Sequence, residues 1–141
     1  MKNLFFSIIF LVFATPIFAQ TGTIVVKVSG IENNKGVVQI GLYNSEESFP
    51  VYEKTFKGAA VKADKSGVSH TFTNIPAGKY AVAVWHDEDE DKTKNTNLFG
   101  APKENYGFSL NIYGSFGPPK FEKVSFKVDS GKKKNIKINI E

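Results

Sequence analysis

The chain has 141 residues, no cysteine, two histidines and a formal net charge of +4, with all 18 basic residues being lysine. Without cysteine there are no disulfides, thiol nucleophiles, thiolate zinc sites or iron–sulfur clusters, and two histidines do not make a multi-histidine metal site. Without arginine the chain lacks the side chain that reads phosphate or guanine with two parallel hydrogen bonds, so the basic balance does not point to nucleic acid.

Met1-Lys-Asn3 is a short basic start, Leu4 to Phe13 is apolar except for Ser7, and Ile17-Phe-Ala19 precedes Gln20. This is the tripartite pattern of a secretory signal peptide, too short for a comfortable membrane span. The expectation is a signal peptide over 1–19 and one domain over 20–141. The mature chain would be periplasmic or secreted, with no transmembrane segment. An exported domain without disulfides must be held by its core, by metal, or by both.

Thr23 to Val28 is β-branched and bounded by Gly22 and Gly30, which predicts a strand. Val37 to Tyr43 is the second strand, with Val38, Ile40 and Leu42 on one face. The short connector between them, Glu32 to Gly36, predicts a hairpin. Asn44 to Pro50 breaks the alternation; Ser45 can cap a short turn, and Phe49 and Tyr52 are placed to fold back as a plug.

Phe56 to Val61 is a weak strand, and Asp64 to Gly67 a turn. Val68 to Ile75 alternates, with Val68, His70, Phe72 and Asn74 on one face. After the Pro76–Gly78 turn, Tyr80-Ala-Val-Ala-Val-Trp85 is apolar almost without interruption. Such a run predicts a strand buried on both faces, with Tyr80, Val82 and Val84 on one and Ala81, Ala83 and Trp85 on the other.

Residues 99–119 hold glycines, prolines and five aromatics, too irregular for a helix and too aromatic for a floppy linker. The aromatics are expected to pin this long loop over an end of the domain. Phe121 to Val128 and Lys134 to Ile140 alternate and close the chain, with Val124, Phe126 and Val128, then Ile136, Ile138 and Ile140, inward. About seven short strands and no amphipathic helix predict an all-β fold. The expected architecture is a single antiparallel Greek-key β-sandwich, immunoglobulin-like or transthyretin-like, with one long aromatic Gly/Pro-rich loop.

Five consecutive acids, Asp87 to Asp91, follow the doubly buried strand directly. Carboxylates this close repel unless something positive sits among them. Calcium takes six to eight oxygens, often from alternate residues of a tight loop. Counted from Asp87, positions one, three, five, seven and nine are Asp87, Asp89, Asp91, Thr93 and Asn95, and Asn97 continues the oxygen supply.

Lys92 stands at the sixth position, where glycine is wanted, and Leu98 at the twelfth, where a bidentate glutamate belongs. The flanks are strand and loop, not helices. The reading is therefore a weak calcium loop grafted on a β-scaffold, completed by Asn97, Glu104 or another loop. The plain alternative is a solvated acidic turn balanced by Lys92 and Lys94.

His86 beside Asp87 invites a hydrolase reading, but no serine sits in a nucleophile-elbow pattern, and adjacent acids on one loop do not face one another across a cleft. His86 is read instead as ending the strand and orienting the loop, and the module as non-enzymatic. Candidate contacts to a protein, glycan or small-molecule partner are His86, Glu104, Tyr106, Phe108 and Tyr113, with Trp85 as a further stacking surface.

Four segments together carry a resemblance: Ile75-Pro-Ala-Gly-Lys-Tyr-Ala-Val82; Trp85-His-Asp87 with Asp89, Asp91, Asn95, Asn97 and Gly100; Pro102 to Ser109; and Phe116-Gly-Pro-Pro-Lys-Phe121. The chain resembles a bacterial family of small exported proteins catalogued only as a domain of unknown function. The resemblance implies a secreted or periplasmic β-sandwich and supplies no activity. That family usually carries Asn or Asp with Gly where this chain has Asp91-Lys92. The Pro-Ala-Gly-Lys-Tyr turn is also similar to that of transthyretin-like and carboxypeptidase-regulatory-like modules, which are mostly accessory and non-enzymatic.

Overall fold

A computed structural model describes residues 20–93 and 103–141. The expected signal peptide, 1–19, lies outside them. The fold is all-β, in two sheets. One has three strands in the order β4 (Val68–Ile75), β1 (Gly22–Ser29), β8 (Lys133–Asn139). The other runs β3 (Lys57–Lys62), β2 (Val37–Tyr43), β5 (Gly78–Asp87), β6 (Tyr106–Phe108). β7 (Phe126–Val128) pairs with the first residues of β5, so β6 and β7 share one edge of that strand. No helix among the described residues is long and apolar enough to cross a membrane.

Alternation builds the main core. Ile24, Val26 and Val28 of β1 and Ile136, Ile138 and Ile140 meet Val38, Ile40 and Leu42 of β2 and Tyr80, Val82 and Val84 of β5. Phe72, Phe126 and Val128 complete it. β5 is buried on both faces as its composition predicts. Ala81 and Ala83 belong to a second apolar cluster with Tyr43, Phe49, Phe108, Phe121 and Val124. The small alanines leave room for large rings to lie on the outer face of the sheet. Phe49 plugs this layer by edge-on contacts to Tyr43, Phe108 and Phe121.

Four sequence expectations change. β1 and β2 are not a hairpin: β1 already has partners on both edges, β4 and β8, and β2 lies in the other sheet between β3 and β5. The connector arches across the end of the sandwich with Ile31 buried. It is framed by Gly30 and Gly36, both left-handed (φ 83° and 63°), where a Cβ would stand 2.3 Å from the Ile140 carbonyl and 2.0 Å from the Asp87 carbonyl. A short connector was compatible with either arrangement; the backbone crowding at these two glycines goes with the arch. The sheets are also not wholly antiparallel, because β8 runs parallel to β1, in register from Thr23↔Lys133 to Ser29↔Asn139.

Residues 121–128 are not one strand. Phe121–Val124 is a single helical turn, α1, which puts Phe121 and Val124 three apart on one side and into the outer cluster. Only then does the chain extend as β7 and send Phe126 and Val128 into the main core. In β4, Asn74 leaves the apolar face: the pairing slips between Gly22↔Ile75 and Ile24↔Phe72, and Asn74 takes φ 56°, so a bulge exposes it.

The aromatic loop supplies a strand that the sequence did not suggest. β6 pairs with Ala83 to Trp85 on one side, and Tyr106 exchanges two backbone hydrogen bonds with Glu141 on the other, at 3.2 and 3.1 Å. The chain end thus joins the two sheets along one side. Gly107 permits this approach, since a Cβ there would lie 2.8 Å from Ile138.

Between β6 and β7 the edge of β5 has a gap at Val82, filled by the wholly buried Ser109. Its hydroxyl accepts from the Val82 N–H at 3.0 Å and donates to the Val124 carbonyl at 2.6 Å. Ser109→Ala should leave both backbone groups buried without partners and cost about 1–3 kcal/mol, read as a lower urea midpoint at unchanged slope. Tyr43 gives the opposite case: its hydroxyl is buried with no hydrogen-bond partner among the described residues, and burial together with nearby Glu53 and Tyr52 holds the phenol far above its usual titration range. Tyr43→Phe should be neutral or stabilising by up to about 1 kcal/mol in the same measurement.

Candidate metal centre

The acidic run begins inside β5, not after it. Val37 pairs with Asp87 and Gln39 with Trp85, so Gln39 and Asp87 share the outer face of the sheet. The second layer covers them there: Asp87 is 0% exposed and Gln39 2%. Gln39 Nε2 donates to Asp87 Oδ2 at 2.9 Å. An ionised carboxylate only accepts, so the amide nitrogen must face it and the amide oxygen must turn away. That oxygen receives the Tyr52 hydroxyl at 3.3 Å. The Tyr52 ring stands edge-on to Trp85, with centroids 4.9 Å apart.

The loop then coils back on the strand end. Glu90 and Lys92 take left-handed conformations, φ 59° and 60°. The Asp91 N–H donates to Asp89 Oδ1 at 3.4 Å, the Thr93 N–H to Asp91 Oδ1 at 2.7 Å and the Thr93 hydroxyl to the Asp91 carbonyl at 3.3 Å. The Lys92 N–H donates to Asp87 Oδ2 at 3.2 Å. One oxygen from each of Asp87, Asp89 and Asp91 comes within 4.8 Å of the others. Asp87 Oδ2 therefore takes two donors, while its buried Oδ1 has no hydrogen-bond partner among the described residues.

Alternation in the sequence thus converges in space. Asp89 and Asp91 are exposed, as are Glu88 and Glu90. Thr93 spends its side chain on the loop itself, which leaves its carbonyl as the oxygen it can offer. Asn95 and Asn97 lie outside the described residues. Glu104 lines a cavity of about 480 Å³ with Glu88, Asp89 and Lys103, next to the cluster.

His86 stands on the opposite face of β5 from Asp87 and is 1% exposed. Its Nε2 lies 2.8 Å from the Lys35 carbonyl. A carbonyl only accepts, so that nitrogen carries the proton. The ring fastens the connector before β2. The His86 N–H also donates to the Asn105 carbonyl at 2.9 Å, and Asn105 Nδ2 donates to Glu32 at 3.2 Å.

Tyr106, Phe108 and Tyr113 pack edge-on against one another, with centroids 5.7 to 6.1 Å apart. Phe108 is buried, and Tyr113 donates its hydroxyl to the Asn139 carbonyl at 2.7 Å. These rings hold the loop down on the sheet.

Sequence reasoning missed Gln39 and Tyr52. The available signal was a lone amide in an otherwise apolar strand, on the face that also carries Gly41 and Tyr43.

The donor set is all oxygen, which suits a hard cation. A cation among the three carboxylates would relieve their mutual repulsion and satisfy the buried oxygen that the described residues leave without a partner.

A family model described as "Uncharacterized protein conserved in bacteria (DUF2141)" matches residues 26–137, which is most of the chain. The chain belongs to this family. No curated protein and no solved structure matches it.

Lys92 holds the left-handed conformation that calcium loops assign to glycine, at a cost of about 1–2 kcal/mol for a residue with a Cβ. Lys92→Gly should therefore raise stability by up to about 1 kcal/mol despite glycine's greater unfolded-state entropy. Lys92→Val, β-branched at the same φ, should lower it by at least as much. Equilibrium urea unfolding of the two variants beside the parent chain measures both.

Proposed function

Taking membership of that family as the premise, we propose that the protein is an exported, non-enzymatic module of Greek-key, transthyretin-like type. Its acidic loop holds a calcium ion. Asp87, Asp89 and Asp91 supply carboxylate oxygens and Thr93 its carbonyl, with Asn95 and Asn97 following in the spacing of a calcium loop. The ion fastens the end of β5 to the segment that leads into β6. Its work is structural. It does for a domain without disulfides what a cross-link does elsewhere: it ties a long connection to the rigid sheet.

One observation carries this reading: a wholly buried carboxylate, fixed on one oxygen by Gln39 and Lys92, with the other oxygen unpartnered among the described residues and set in a cluster of three acids. Burying an ionised carboxylate without full compensation is costly. The surrounding donors orient this one and do not neutralise it. Calcium suits such a site better than magnesium because a flexible acidic loop tolerates irregular, high coordination. The departures at Lys92 and Leu98 imply weak affinity, which fits a compartment with millimolar calcium.

Thermal unfolding in EDTA and in rising calcium tests the proposal. Calcium at one hundred times its dissociation constant should add about 2.7 kcal/mol to the stability of the domain. Asp87→Asn, which keeps the shape and the Gln39 contact region while removing the charge, should abolish the gain and should not lower stability in EDTA. No calcium response up to tens of millimolar would end the metal reading and leave a solvated acidic turn.

A further inference from the structure

Among the described residues no layer covers the outer face of the three-stranded sheet, where Lys27, Ser69, Thr71, Asn135 and Lys137 are exposed, and its chemistry is uniform. Across β4, β1 and β8 the pairing aligns Ser69, Lys27 and Lys137 in one row and Thr71, Val25 and Asn135 in the next, and places Lys133 beside Thr23. The alternate residues of these strands face the core, so these side chains face out. The rows contain no carboxylate. Asp64, on the turn that borders them, accepts from the Ser66 N–H and hydroxyl at 2.8 and 2.6 Å. Along the first row lies an open groove of about 370 Å³, lined by Lys27, Lys137, Ser66, Ser69 and their neighbours.

Lys27 is the telling residue. It lies on the central strand, where a lysine has no edge to protect. Its neighbour in the parallel register is another lysine, on a strand about 4.8 Å away. Like charges directly opposite one another destabilise a sheet. An arrangement that sets two ammonium groups side by side, rimmed by hydroxyls and without a carboxylate in its rows among the described residues, gains when an anion lies between them. Lys133 and Lys137 are four residues apart on β8, about 13 Å along the strand, so the positive charge repeats along the face.

We infer that this face binds an acidic polysaccharide, a chain of sugars bearing carboxylate or sulfate groups. The lysines take the anionic groups, and Ser69, Thr71 and Asn135 exchange hydrogen bonds with sugar hydroxyls. The competing polyanions fit less well. A membrane surface needs an apolar side chain to insert, and Val25, the only apolar residue in the two rows, is 8% exposed. Nucleic-acid binding normally uses arginine and stacking rings, and the chain has no arginine and the rows no aromatic. This site lies on different strands from the acidic cluster and does not depend on a metal there.

The test uses the chain from Gln20 to Glu141 in EDTA, so that no metal bridges protein and glycan. Binding of dextran sulfate and of alginate oligosaccharides is measured beside neutral dextran, in rising salt. Both acidic glycans should bind with a steep salt dependence, and dextran should not. The Lys27→Gln/Lys137→Gln double variant should weaken binding about tenfold and flatten the salt dependence. Lys120→Gln/Lys123→Gln, on the other layer, should leave binding unchanged. Absence of binding, equal losses in the two double variants, or tighter binding to anionic vesicles or single-stranded DNA than to the acidic glycans would overturn the inference.

Discussion

β5 must be covered on both sides, and most of the architecture follows from that. Tyr80, Val82 and Val84 need the opposite sheet, while Ala81, Ala83 and Trp85 need a second cover that no sheet supplies. The long aromatic segment and the connector after β2 provide it, as Phe49, Phe108, Phe121 and Val124 lie over the alanines. A loop of this length persists in a compact domain because it is a wall of the core. Its glycines and prolines follow from the same duty: it must turn from a three-residue strand to a buried serine to a single helical turn within about twenty residues.

The same alternation explains why a charge is buried at all. Residue 87 inherits the face of residues 81, 83 and 85, so the last side chain of the strand is an aspartate under an apolar cover. Several connections converge on this strand end. The arch before β2 is held by His86 and crowded by Gly36, Tyr52 reaches in through Gln39, the acidic loop returns through the Lys92 amide, and Asn105 meets the His86 N–H. A cation placed there would act on all of them together.

The strands of the two sheets other than β6 were legible because their period of two is written in β-branched and aromatic residues, and β5 declared its double burial by losing that period. The three aspartates were legible because their alternate spacing survives the coiling of the loop. What was not legible depends on partners distant in sequence. The arch between β1 and β2 looks like a hairpin turn until both edges of β1 are known to be taken. Val124 looks like a strand residue because it stands two before Phe126 and four before Val128, in the period of a strand; the outer cluster, which takes Phe121 and Val124 together, decides for the helical turn. β6 is three residues long and needs both Ala83–Trp85 and Glu141 to exist. Gln39 becomes a site residue only through its pairing with β5. The parallel entry of β8 beside β1 has no local signature at all.

Trp85 is the sole tryptophan of the chain, and it sits at the inner end of a short polar relay. Its indole touches the Tyr52 ring, whose hydroxyl holds the Gln39 amide, whose nitrogen holds Asp87. Whatever displaces the Asp87 carboxylate by a fraction of an ångström must rotate the amide, tilt the phenol and change the electrostatic surroundings of the indole. The domain therefore carries its own optical gauge: the emission of one fluorophore reports on the strand end, without any label and against no background from another tryptophan.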